Sequence, residues 1–116
     1  KRVNLDEAMK SFNSGDYASA SQQFDQILKR EPDNGAALYF GGITDYINGK
    51  NAKAEKNFDK LLKDGNQYVE GSKWYKSNLL LKKGKKDDAK KLLKELVNSD
   101  GSYKERAVKK LEELKP

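Results

Sequence analysis

The chain contains no cysteine and no histidine. That removes thiolate nucleophiles, disulfides, thiolate or imidazole metal sites and histidine acid–base catalysis. Cysteine absence fits any redox compartment. No apolar run approaches the roughly 18 residues that read as a membrane span, and no signal-peptide pattern is visible. The chain starts at Lys1 instead of methionine, which reads as a piece of something longer. Apolar residues are themselves scarce, 35% against 36% charged. In 116 residues they can build one modest core, and only if each is well placed.

What the chain does have is a repeat. Glycine recurs at Gly15, Gly49 and Gly84, spaced by 34 and then 35 residues. Five residues beyond each comes an alanine: Ala20, Ala54 and Ala89. Phe24, Phe58 and Leu93 follow, then Ile27-Leu28, Leu61-Leu62 and Leu96-Val97. Columns also match ahead of each glycine: Leu5, Tyr39 and Trp74; Ala8, Gly42 and Ser77; Phe12, Tyr46 and Leu81. A period of this length means stacked supersecondary units, each burying a face against its neighbour. Such arrays present extended surfaces to partners and seldom do chemistry.

Each unit reads as two helices around its glycine. Leu5, Ala8, Met9 and Phe12 have helical spacing. Gly15 can close that helix in the left-handed conformation and Asp16 can cap the next. Ala20, Phe24, Ile27 and Leu28 share a face until Pro32 ends the helix. Asp33 or Asn34 caps the next helix, which runs through Leu38, Tyr39, Gly42, Ile43 and Tyr46 to Asn48. After Gly49, Ala54, Phe58, Leu61 and Leu62 follow, and Lys63-Asp64-Gly65-Asn66 ends that helix. The third unit opens near Tyr68, carries Trp74, Ser77, Leu80 and Leu81, turns at Gly84, and buries Ala89, Leu92, Leu93, Leu96 and Val97. Asp87 and Asp88 suit the positive end of that helix. Asn98-Ser99-Asp100-Gly101 ends it. A last helix from Ser102 to about Lys115 begins like the third unit, because Tyr103 and Glu105 repeat Tyr68 and Glu70. It then turns strongly polar, as a terminal cap should.

Gly15-Asp16-Tyr17, Ala20, Phe24, Leu28, Pro32 and Asn34, with Gly49, Ala54, Phe58 and Leu62 and then Gly84, Ala89, Leu93 and Val97, resemble the tetratricopeptide repeat. The resemblance implies an all-α, right-handed solenoid of three helix pairs plus a C-terminal capping helix. It makes one domain of residues 1–116, with repeats at about 1–34, 35–69 and 70–101 and a cap at 102–115. The chain departs from the motif in its weak aromatic-Leu-Gly start, in Asp45 at a position where a large apolar residue is common, and in the missing terminal proline after the second and third repeats. Tyr68, Ser72 and Trp74-Tyr75, followed by Gly84, Ala89, Leu92-Leu93 and Ser102-Tyr103, are also similar to the C-terminal repeat region of membrane-anchored proteins common in Bacteroidetes. Those often carry an N-terminal membrane helix, sometimes behind a small anti-sigma-like segment. That resemblance implies a periplasmic setting.

By this resemblance the first helices line a concave groove that holds a protein or peptide partner. The candidate groove residues are Leu5, Met9, Tyr39, Ile43, Tyr46, Trp74, Asn78 and Lys82. Aromatics suit such a surface because they combine apolar area with a polar tip. The same side chains equally suit packing of repeat on repeat, with Asn78 and Lys82 the least core-like. Some members grip a peptide's terminal carboxylate with inner-face lysines, asparagines and an arginine. The comparable positions here are Leu5, Met9, Phe40, Gly71 and Tyr75, so that clamp is not expected.

Charge divides unevenly. Residues 1–49 hold 5 basic and 7 acidic side chains, net −2, and residues 50–116 hold 19 and 11, net +8. Lys86, Lys90 and Lys94 share a helical face within a cluster that includes Lys82, Lys83, Lys85 and Lys91. The cluster reads as an electrostatic surface for acidic partners or anionic membrane, or as a solvated face that keeps a small array soluble. Nucleic-acid binding is discounted, since the cluster lacks arginine and aromatics. The carboxylate pairs Asp6-Glu7, Asp87-Asp88 and Glu112-Glu113 diverge along helices and form no acid–base dyad. Gly41-Gly42 lies inside a helix without the lysine and hydroxyl of a phosphate loop. Close packing accounts for Gly42, whereas nothing in the sequence accounts for Gly41. No catalytic residue, metal site or cofactor is expected.

Overall fold

The computed structural model describes residues 2–63 and 65–116. Among these lie seven α-helices and no strand: α1 (Leu5–Asn13), α2 (Tyr17–Arg30), α3 (Gly35–Ile47), α4 (Asn51–Leu62), α5 (Val69–Lys82), α6 (Lys86–Ser99) and α7 (Lys104–Glu113). Helices pack on their sequence neighbours within two compact units, Lys1–Lys63 and Asp64–Pro116. In the first, α1 packs on α2, α2 on α3 and α3 on α4, and α1 also meets α3. In the second, α5 packs on α6 and α6 on α7.

The three glycines define three turns of one geometry. Gly15, Gly49 and Gly84 have φ of +82°, +78° and +78°. Each amide donates to the carbonyl three residues back: Phe12, Tyr46 and Leu81. The next amide reaches five back: Asp16 to Ser11, Lys50 to Asp45 and Lys85 to Leu80. This is the Schellman closure, which satisfies carbonyls that a helix end leaves orphaned. A Cβ on these glycines would meet nothing within 4 Å. Glycine is there for backbone handedness and not for space.

Helix starts follow from side-chain acceptors where the sequence supplies them. Asn4, Asp16 and Asn34 accept from the amides of Glu7, Ser19 and Ala37 at 2.9, 3.2 and 2.9 Å. Asn34, not Asp33, is therefore the cap of α3. Lys50 and Lys85 occupy the equivalent position before α4 and α6 and make no side-chain cap. Tyr68 and Tyr103 precede α5 and α7 with matching backbone angles, φ −99° and −97°. The repeat of Tyr68 at Tyr103 is thus a repeat of helix entry. α7 is shorter than the expected 102–115 because Tyr103 caps its start and Leu114 its end. α4 stops at Leu62 with Lys63 as its C-cap. Asp64, also expected to end it, lies outside the described residues.

Small residues sit where helices close on one another. Ala8, Ala20, Ala54, Ala89 and Ser77 are fully buried, as are Phe24, Phe58 and Leu93. In the first unit, Ala8, Ala20, Phe24, Ile27 and Ala37 form a core, with Leu5, Met9, Phe12 and Phe40 packed around it. In the second, Leu93, Leu96 and Ala107 do so, flanked by Trp74, Val97, Tyr103, Leu111 and Leu114. Leu92 and Val97, expected in the buried face of α6, are only half-buried. α3 lies between α2 and α4 and is tight on both sides. A Cβ on Gly42 would meet the Phe58 ring of α4 at 2.8 Å, and one on Gly41 would meet Phe24 Cβ of α2 at 3.2 Å. Gly41 therefore has a packing reason of its own, chiefly against Phe24 of α2.

Candidate functional site

Of the groove candidates, Leu5 and Met9 lie on α1 and pack around the first core, and Tyr39, Ile43 and Tyr46 lie on α3. Tyr39 and Ile43 are 9% and 8% exposed. The Tyr39 ring stands edge-on to Phe40 and Phe58 at 5.2 and 6.3 Å between centroids. Phe40 in turn meets Phe12 at 5.4 Å. Aromatic packing therefore absorbs most of the Tyr39 surface, while Tyr46, two turns on, is half-buried. Burial around α3 reaches even its polar side chains: Thr44 is fully buried and donates to the Phe40 carbonyl at 2.7 Å.

Trp74, Asn78 and Lys82 lie on α5. Trp74 is half-buried, packs on the Leu93–Leu96–Ala107 core and has its ring 6.4 Å from that of Tyr103. Its carbonyl accepts from Ser77 Oγ at 2.7 Å and from Asn78 Nδ2 at 3.1 Å. Asn78, half-buried, thus spends one amide donor on its own helix. Lys82, in the last turn of α5, is exposed.

Lys86, Lys90 and Lys94 follow each other by four residues on α6. Lys86 and Lys94 are exposed and Lys90 is half-buried. Lys90 and Lys94 line a cavity of about 380 Å³ with Val97 of α6 and Val108, Leu111, Glu112 and Lys115 at α7. Lys86 is not among its lining residues. The sequence marked this lysine row, and Val97 as part of an apolar face, but not Val108 and Leu111, which come from another helix.

One buried carboxylate, that of Asp45, is structural in placement. Asp45 of α3 is 1% exposed and accepts from Ser21 Oγ of α2 at 3.1 Å. Lys53 of α4 lies 4.0 Å from it and 2.7 Å from Asp25 of α2. Burial pushes the Asp45 carboxyl above its usual range, against the pull of Lys53 and of the Ser21 hydrogen bond. For Lys53, burial is outweighed by the Asp25 hydrogen bond and the nearby carboxylates, which hold its ammonium above the usual range. A carboxyl this enclosed can tie three helices together but cannot reach a substrate.

Among the described residues no group of three acidic, histidine or cysteine side chains is placed to hold a metal ion. None of the helices is long and apolar enough to cross a membrane. No family model and no curated protein matches this chain.

Proposed function

We propose that the chain is a right-handed array of three tetratricopeptide-type helix pairs, closed by α7, that works as a protein–protein interaction scaffold and not as an enzyme. The observation that carries this reading is the helix–glycine–helix turn built three times with the same hydrogen bonds around fully buried small residues. Such modules extend a surface and contribute no reactive group. A partner segment would lie along the first helices of the pairs. Tyr46, Trp74, Asn78 and Lys82 offer it more accessible surface than Tyr39 and Ile43, which are spent on packing. The resemblance to Bacteroidetes repeat regions makes a bacterial membrane-anchored protein the setting for this scaffold.

The test is capture of partners on the immobilised chain, eluted along a salt gradient and identified by mass spectrometry. Discrete proteins that persist at high salt and are lost with Tyr46→Ala or Lys82→Glu support the groove. Trp74→Ala belongs in the set only beside a thermal melt, since Trp74 also packs on the core. If the folded variants retain every partner, the groove reading is wrong.

A further inference from the structure

We infer that the cavity between α6 and α7 is a second docking surface, for a short partner segment that combines aliphatic side chains with flanking carboxylates. Its floor is aliphatic: Val97, Leu111 and Val108, the last 41% exposed. Its rim is cationic, formed by Lys90, Lys94 and Lys115. The one carboxylate there, Glu112, is already paired with Lys115 at 3.2 Å. Among the described residues no ion pair engages Lys90 or Lys94. Two unspent ammonium groups beside exposed Val108 and the half-buried Val97 and Leu111 complement an acidic, aliphatic ligand.

Other occupants fit less well. Stacking of a further helix in the manner of α6 on α5 needs a small residue in the column of Ala8, Gly42 and Ser77, and the next position in that column is Glu112. A second copy of the chain would bring like charge to like charge, since residues 64–116 alone carry 14 basic and 9 acidic side chains, net +5. Nucleic acid would find no aromatic for stacking among these lining residues. The surface shares no residue with Tyr46, Asn78 or Lys82, so it stands whether or not the groove proposal does.

The test uses the whole chain and two fluorescein-labelled synthetic peptides, one alternating leucine with glutamate, the other leucine with lysine. Fluorescence anisotropy should show binding of the glutamate peptide only. Val108→Asp should weaken it about tenfold or more by placing a carboxylate on the floor. Lys90→Glu with Lys94→Glu should do the same, whereas Lys86→Glu, on the same helix row outside the cavity, should change affinity by no more than about twofold. Tyr46→Ala and Lys82→Glu should leave binding unchanged, which separates this site from the groove. Val108 is exposed enough for Val108→Asp to fold, and circular dichroism checks it. Val108→Ser serves if it does not. Equal loss with Lys86→Glu and no effect at Val108 would mean diffuse charge attraction and overturn the proposal. So would binding to phosphatidylglycerol vesicles that the glutamate peptide fails to displace, which would make the surface a membrane contact.

Discussion

Gly42 of α3 lies directly against the ring of Phe58 on α4. A Cβ at residue 42 would sit 2.8 Å from Cε1 and 2.9 Å from Cζ. Alanine would gain about 1 kcal/mol of helix propensity and lose roughly 1–3 kcal/mol to overpacking. Gly42→Ala should therefore lower stability, by about 1 kcal/mol in urea melts. Ala54→Leu, on α4 and fully buried, gains no propensity and should cost the full 1–3 kcal/mol or so. Unchanged stability for both would mean that α3 and α4 can part without penalty, and the close-packed helix pair would be wrong.

Ser72 of α5 is fully buried, and its hydroxyl has no hydrogen-bond partner among the described residues. The equivalent positions in α3 and α7 are Ala37 and Ala107, both fully buried. An unsatisfied buried hydroxyl costs about 1–3 kcal/mol. Ser72→Ala should raise stability by about 1 kcal/mol. Ser77→Ala is the contrast, because Ser77 Oγ donates to the Trp74 carbonyl at 2.7 Å. It should gain nothing. If the two alanines behave alike in denaturant titrations, hydrogen-bond satisfaction is not what distinguishes the sites.

The repeat was legible because its markers are backbone requirements. Gly15, Gly49 and Gly84 are needed for positive φ, a need that does not depend on distant sequence, and the alanines recur at a fixed offset from them. Side-chain partnerships were not legible. Ser21 and Asp45 are 24 residues apart and meet only once α2 lies on α3. Gly41 answers chiefly to Phe24 of α2 and Gly42 to Phe58 of α4. No spacing rule separates those roles. Tyr39 and Ile43 read as exposed candidates because a helix covered on two sides carries apolar residues most of the way round, leaving no periodicity to mark the free face. In α5 the opposite holds: Ser72 and Ser77 are polar yet buried, so hydropathy marks no face there either. The Val97–Val108–Leu111 floor joins two helices and was invisible for that reason.

Lys85 holds the N-cap position of α6 at φ −92°, ψ 65° without capping it. Asp16 holds the same position before α2 at φ −84°, ψ 74° and caps the Ser19 amide. The backbone at residue 85 is thus already shaped for an acidic cap. Lys85→Asp should add a hydrogen bond and remove a cation from the positive end of the helix dipole, together about 1 kcal/mol. Asp87 and Asp88 in the same turn offset part of that gain. The expected result is a higher thermal midpoint in low salt that narrows as salt is added. A lower midpoint in both conditions would show that carboxylate crowding outweighs the cap.

Asp45 gives the chain a pH dependence of predictable sign. Its folded pKa lies above the ordinary carboxylate value of 3.8. Between the unfolded and folded values the folded state therefore holds more protons, so stability falls as pH rises through that interval and is level above it. Lys53 acts at the other end of the scale. Its folded pKa is raised above 10.5, so its contribution is full below the unfolded value and is lost as pH rises through the folded one. Asp45→Asn keeps an oxygen for Ser21 and removes the buried charge. It also removes the attraction to Lys53, but at 4.0 Å and with Lys53 44% exposed that pair contributes less than about 1 kcal/mol. Asp45→Asn should be at least as stable as wild type at neutral pH, and its advantage should fade as pH falls toward 3.8 and the wild-type carboxyl protonates. Urea titrations across acid to neutral pH measure this directly. A variant less stable at neutral pH, with the gap closing in acid, would mean that the ionised Asp45–Lys53–Asp25 cluster stabilises the packing of α2, α3 and α4 by more than its burial costs.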